Sequence, residues 1–183
     1  MKKLLTALLA FALLSGCGAK DEDRTKSAYA VDLSAGGEAV DFLFKDMEGK
    51  PFRLSEKKGQ VVLLYFWRMK CEECKIELRA IDGLQRKYGE KGLIAVAIGA
   101  DSMHSGPLFE VHRFFDKEKF SFVKLRDEDG FVAEAYNVMR APEAYVIGRD
   151  GRIALVQKGT ADWSSPETAA ALEKILSLSG GSN

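Results

Sequence analysis

Seven consecutive apolar residues, Val61-Val62-Leu63-Leu64-Tyr65-Phe66-Trp67, are followed three residues later by Cys71-Glu72-Glu73-Cys74, where a helical pattern begins. The apolar run reads as a strand. Beyond the cysteines, Leu78, Ile81, Leu84 and Tyr88 recur at intervals of three and four, the stripe of a helix that ends near Gly89. The cysteine pair therefore stands at a strand-to-helix junction. There the backbone N–H groups and the helix macrodipole favour a thiolate on the first cysteine, with the second in reach to form a disulfide.

Two other readings of the pair are open on spacing alone. A structural staple closing so small a ring contributes roughly 2 kcal/mol at most in the loop-entropy picture. Half of a zinc site needs two further ligands. The remaining cysteine, Cys17, lies in the leader, and His104 and His112 are eight residues apart, too far for the usual histidine pair. Redox exchange is the reading these constraints favour, with no metal and no bound cofactor called for.

With 183 residues, 46% hydrophobic and 30% charged, the chain suits one globular domain. Its 27 basic residues balance 27 acidic ones with no basic stripe, which argues against a nucleic-acid partner. Residues 1–16 read as a signal peptide: Lys2 and Lys3 precede an apolar stretch from Leu4 to Leu14 broken only by Thr6. That stretch covers only about half of a ~30 Å hydrocarbon core, too little for a permanent span. Residues 17–39, with Lys20-Asp21-Glu22-Asp23-Arg24 and Ala35-Gly36-Gly37, read as a flexible tether. The globular domain is expected over 40–178, with a short tail at 179–183.

Strands are expected at 61–67, 93–99, 122–125, 143–148 and 152–157. Helices are expected after Cys74, over 108–120 and 131–136, and from Ser165-Pro166 to near Leu178. Serine before a proline at the first turn is a strong helix start. Arg149-Asp150-Gly151 between two apolar runs signals a hairpin, so the last two strands pair antiparallel. A βαβ unit followed by a ββα unit predicts an α/β fold with a central mixed sheet flanked by helices.

Several stretches carry a family resemblance. They are Val40-Asp41-Phe42, Asp46-Met47-Glu48-Gly49-Lys50, Leu54, Gly59-Gln60 with the apolar strand, the cysteine pair, Ala141-Pro142, Tyr145-Val146-Ile147 and Asp150-Gly151. Over residues 39–178 the chain resembles the thioredoxin superfamily, and within it the TlpA/ResA-type envelope thiol-disulfide oxidoreductases of the redoxin (AhpC/TSA) group. It departs from that pattern at Lys70 and Glu73, where Trp and Pro are common, and at Val40 and Ala141, where Pro and Thr are common. Leu14-Ser15-Gly16-Cys17 resembles a bacterial lipobox, which implies cleavage before a lipidated Cys17. Cys71 and Cys74 then remain as the disulfide-forming pair.

The resemblance implies a thioredoxin-like fold and an enzyme that exchanges disulfides. Cys71 is implied as the attacking thiolate and Cys74 as the resolving thiol. Pro142 is implied to be a cis-proline beside them, with Ala141 binding substrate backbone. Glu77 falls where relatives carry a buried acidic residue implicated in thiol proton handling. The competing expectation is an exposed glutamate among lysine and arginine neighbours. Glu72 and Glu73 raise a thiolate pKa by like charge, while Arg68 and Lys70 push it down. Phe66, Trp67 and Tyr145 are expected to be core, and His104 and His112 ordinary surface or packing residues.

The implied partners are envelope proteins with disulfides and a membrane thiol reductant. The implied location is the cell envelope, on a lipid anchor, with cytochrome c maturation as a role common among such relatives. Two rivals are weaker. A peroxiredoxin-like peroxidase is expected to carry threonine and proline before its cysteine, where Leu64 and Arg68 stand. A copper-delivery protein of the same fold would use Cys71, Cys74 and a histidine, but its cysteines are usually spaced by three residues.

Overall fold

A computed structural model describes residues 33–100 and 108–178. The strands are β1 (Leu43–Lys45), β2 (Pro51–Arg53), β3 (Val61–Trp67), β4 (Leu93–Gly99), β5 (Val123–Arg126), β6 (Glu143–Ile147) and β7 (Ile153–Lys158). The helices are α1 (Glu72–Tyr88), α2 (Leu108–Glu118), α3 (Phe131–Ala135) and α4 (Pro166–Ser177). The signal-peptide, Cys17 and His104 expectations lie outside the described residues, as does the 179–183 tail.

Five strands form one sheet in the order β5-β4-β3-β6-β7. β3 pairs parallel with β4, and β4 with β5, while β6 runs antiparallel to both β3 and β7. The central position of β3 explains its unbroken apolar sequence: every residue in it is buried. Val61, Leu63, Tyr65 and Trp67 enter the core that packs against α1, α2 and α4, alongside Leu78, Val111 and Leu172. Val62, Leu64 and Phe66 face the opposite core, with Phe52 of β2 and Val132 of α3. Phe66, Trp67 and Tyr145 are thus core residues.

The β6–β7 hairpin turns at Gly151, whose φ of 84° suits glycine, and Asp150 Oδ1 accepts from the Arg152 N–H at 3.0 Å. At α4, Ser165 Oγ accepts from the Thr168 N–H at 3.1 Å, with Pro166 in the first turn. No helix among the described residues is long and apolar enough to cross a membrane.

Two features differ from the sequence expectations. β1 and β2 form a separate two-stranded sheet of three residues each, too short for alternation to mark them. Their turn is the Asp46–Lys50 stretch, in which Asp46 Oδ1 accepts from the N–H groups of Glu48 and Lys50 at 3.0 and 2.7 Å. The expected tether also ends earlier than residue 39. Gly36 N–H donates to Ile153 O at 2.7 Å, Ile153 N–H to Gly37 O at 2.8 Å and Ala39 N–H to Gly151 O at 3.1 Å. Residues 36–39 belong to the folded domain because the start of β7 offers them unpaired backbone groups.

Candidate active site

Cys71 is the N-cap of α1. Its backbone is extended (φ −109°, ψ 106°), and its Sγ accepts from the Cys74 N–H at 3.1 Å. Sulfur here occupies the place a serine or aspartate oxygen usually takes at a helix start. The Cys71 and Cys74 sulfurs are bonded, with Cα atoms 5.2 Å apart. Cys71 is half-buried, whereas Cys74 is 0% exposed. Helix geometry produces this asymmetry, since the stripe that includes Cys74, Leu78 and Ile81 faces the sheet while the cap stays at the rim.

Glu72 and Glu73 are exposed in the first helical turn, and Glu72 pairs with Lys75 at 2.6 Å. Arg68 and Lys70 are exposed on the approach to the disulfide. Across the sheet, the β3–β6 register sets Phe66 opposite Glu143, so Pro142 lies at the β3 end that leads to Cys71. The Ala141–Pro142 peptide is cis. Pro142 O accepts from the Gly159 N–H at 3.0 Å, and Ala141 packs against the same core cluster as Cys71.

Glu77, one turn beyond Cys74, is only 6% exposed, which rules out the exposed alternative for it. Its Oε2 accepts from Trp163 Nε1 at 2.7 Å and its Oε1 from the Ala161 N–H at 3.1 Å. Burial raises its pKa. Hydrogen bonds from Trp163, Ala161 and Tyr65 oppose that rise, and the charge of Glu73 adds to it, leaving a net elevation. Tyr65, on β3, is pushed upward by burial and then by the charge of Glu77. An open cleft of about 440 Å³ bounded by Glu73, Ile76, Glu77 and Thr160 to Asp162 runs beside this network.

A second buried carboxyl, Glu143, directly follows the cis-proline. It is 5% exposed, accepts from the Tyr145 hydroxyl at 2.7 Å and lies 3.4 Å from Lys158 Nζ. The sequence reading passed over Glu143, although an acidic residue opening an otherwise apolar strand marked it. It also passed over Tyr65 and Trp163, whose polar atoms meet Glu77 only after the chain has folded. His112 is a half-buried residue of α2. No group of three or more histidine, cysteine or acidic side chains that could hold a metal ion occurs among the described residues.

A mixed sheet of this order, a cysteine pair capping the helix after its central strand, and a cis-proline at the same end define a disulfide-exchange protein of the thioredoxin superfamily. The pattern of the AhpC/TSA family matches residues 35–156. Thioredoxin-like protein YneN of Bacillus subtilis is 33% identical over 160 residues, covering 87% of this chain and 92% of its own. Thiol-disulfide oxidoreductase ResA of Bacillus cereus is 30% identical over 156 residues, covering 85% and 83%. The structure of a protein from Chlorobium tepidum, assigned as the thiol:disulfide interchange protein DsbE, superposes with a TM-score of 0.70. It is 26% identical and covers 78% of this chain and 98% of its own. The chain belongs to the AhpC/TSA family, and within it to the TlpA/ResA-type thiol-disulfide oxidoreductases.

Proposed function

We propose that this oxidoreductase reduces or exchanges disulfides of envelope proteins through Cys71 and Cys74 while tethered to a membrane by lipidated Cys17. The observation that carries the division of labour is the exposure difference: Cys71 is half-buried at the rim and Cys74 is 0% exposed. In the dithiol state, the Cys71 thiolate attacks one sulfur of a substrate disulfide. The substrate S–S bond breaks, its other sulfur leaves as a thiolate and is protonated, and a mixed disulfide remains. Cys74 then gives up its proton and attacks Cys71 Sγ. The intramolecular disulfide forms, and the second substrate sulfur leaves with the electron pair. Two electrons have passed to the substrate, and a membrane thiol reductant returns them.

Glu77 is the acid–base group of this cycle, placed one helical turn from Cys74 where i and i+3 side chains are neighbours. Ala141 and cis-Pro142 present backbone to the substrate segment beside the disulfide. The lipobox at Leu14–Cys17 supports the anchor, and the charged stretch after it supports a tether that ends before Gly36. A disulfide of a cytochrome c precursor is the substrate assigned in this reading, supported by the resemblance to ResA-type proteins, among which cytochrome c maturation is a common role.

Trapping tests the assignment. Cys74→Ser is expected to accumulate a covalent mixed disulfide with its substrate in envelope extracts, and Cys71→Ser to accumulate none. The reverse pattern would exchange the two roles. A mature N-terminus that mass spectrometry finds unmodified at Cys17 would remove the anchor.

A further inference from the structure

Glu77 receives neither of its two hydrogen-bond donors from its own helix. Ala161 N–H and the Trp163 indole N–H come from the loop between β7 and α4, while the Tyr65 hydroxyl of β3 stands near enough to help hold the carboxyl's pKa down. Ala161 and Trp163 each donate to one carboxylate oxygen, so both oxygens are held as acceptors and the arrangement suits the charged form. The charged groups beside Glu77 are both acidic: Glu73 on α1 pushes the other way, and Asp162 on the loop lines the same cleft. Glu77 is therefore a base kept ready by donors against burial and like charge.

Tyr65 ties this carboxyl to the cysteine. Its hydroxyl donates to the Cys74 carbonyl oxygen at 3.5 Å and neighbours Glu77, so one side chain links the carboxyl's surroundings to the backbone of the resolving cysteine. Its ring packs edge-on against Trp163, with centroids 6.3 Å apart and planes at 87°. The two aromatic side chains thus brace each other, Trp163 holding the carboxylate and Tyr65 the Cys74 backbone. Both are buried, Tyr65 at 1% and Trp163 at 5% exposure, so water does not substitute readily for either.

We propose that Tyr65 and Trp163 are positioning residues for disulfide exchange, holding the Glu77 carboxylate where it takes the proton of the Cys74 thiol during release of the mixed disulfide. The proposal rests on the acid–base role of Glu77. In the step, Cys74 S–H gives its proton to Glu77 and its sulfur bonds to Cys71 Sγ. The Cys71–substrate S–S bond breaks, and the electron pair leaves on the substrate sulfur, which is protonated from solvent.

The test uses the full chain with the Glu77 side-chain carboxyl observed by carbon-13 NMR as pH is varied, beside single-turnover release of a model peptide mixed disulfide. Trp163→Phe is expected to raise the Glu77 midpoint because it removes a donor to the charged form, and Tyr65→Phe to raise it because a hydroxyl that favours the charged form is lost from beside the carboxyl. Each is expected to slow release at neutral pH severalfold, because the carboxylate is no longer held in place beside the Cys74 thiol. In a Glu77→Gln background neither should slow it further. A midpoint unmoved in folded variants overturns the proposal at Tyr65 and Trp163 and leaves the Glu77 reading standing. A midpoint that moves while the release rate stays fixed overturns it at Glu77 itself. If Trp163→Phe does not fold, Tyr65→Phe, which loses a single oxygen, carries the test.

Discussion

Replacing Glu77 by glutamine in the oxidised protein should change how stability depends on pH, and the sign follows from the carboxyl's surroundings. Burial holds the folded-state pKa above the ordinary glutamate value of 4.5. The native state therefore binds more protons than the unfolded state between those two values. Stability contributed by this group is fully present below the unfolded pKa and is lost as pH rises through the folded one. Each unit of elevation corresponds to about 1.4 kcal/mol of stability lost by neutral pH. Glutamine cannot ionise, so that slope disappears. It also brings a cost of its own: its NH2 group must face either the Ala161 N–H or the Trp163 indole, leaving a buried donor unsatisfied at about 1–3 kcal/mol. A protonated glutamate presents the same problem. The two proteins should accordingly be closest in stability near pH 4, with the variant gaining on the wild type as pH rises toward 8. Urea unfolding at half-unit pH steps reads this directly from midpoints at constant slope. Asp41, Asp82 and other groups with shifted pKa values occur in both proteins and cancel in the difference. Stability curves that run parallel from pH 4 to 8, or a wild type that gains on the variant as pH rises, would refute the account.

Asp82 should show the opposite sign. Burial would raise it, but hydrogen bonds from the Ser121 N–H and hydroxyl and from Arg86 outweigh that and lower its pKa. Its contribution is present above the unfolded value of 3.8 and lost as pH falls through the folded one, so Asp82→Asn should flatten the acid limb of the stability profile. Ser165→Ala removes the α4 cap and should cost about 1 kcal/mol, visible as a lower urea midpoint. The Cys71–Cys74 couple is expected to be reducing, nearer thioredoxin than DsbA; equilibration with glutathione giving a potential above about −150 mV would contradict this.

The fold was legible because its strongest signals are local. An unbroken apolar strand, a cysteine pair, a three-and-four stripe and a Ser-Pro helix start each report one element through its own periodicity or cap, and the observed α1 and β3 to β7 lie within a residue or two of expectation. The three-residue strands β1 and β2 were not legible, since too few positions exist for alternation to register. The β7 pairing of residues 36–39 was hidden for another reason: glycine-rich chain looks like tether until a strand edge is there to bind it.

The site divides along the same line. Spacing alone picked out Cys71 and Cys74, because two cysteines at a strand-to-helix junction are visible in one dimension, while Pro142 and Glu77 came forward only through the family resemblance. Whether Glu77 was a solvated surface charge or a buried, hydrogen-bonded carboxyl depended on partners 84 and 86 residues away in the chain. Only the tertiary structure brought Trp163, Ala161 and Tyr65 to it, and burial with hydrogen bonding is a property of that assembly rather than of any segment. Spacing named the cysteine pair; three-dimensional packing decided which groups surround it.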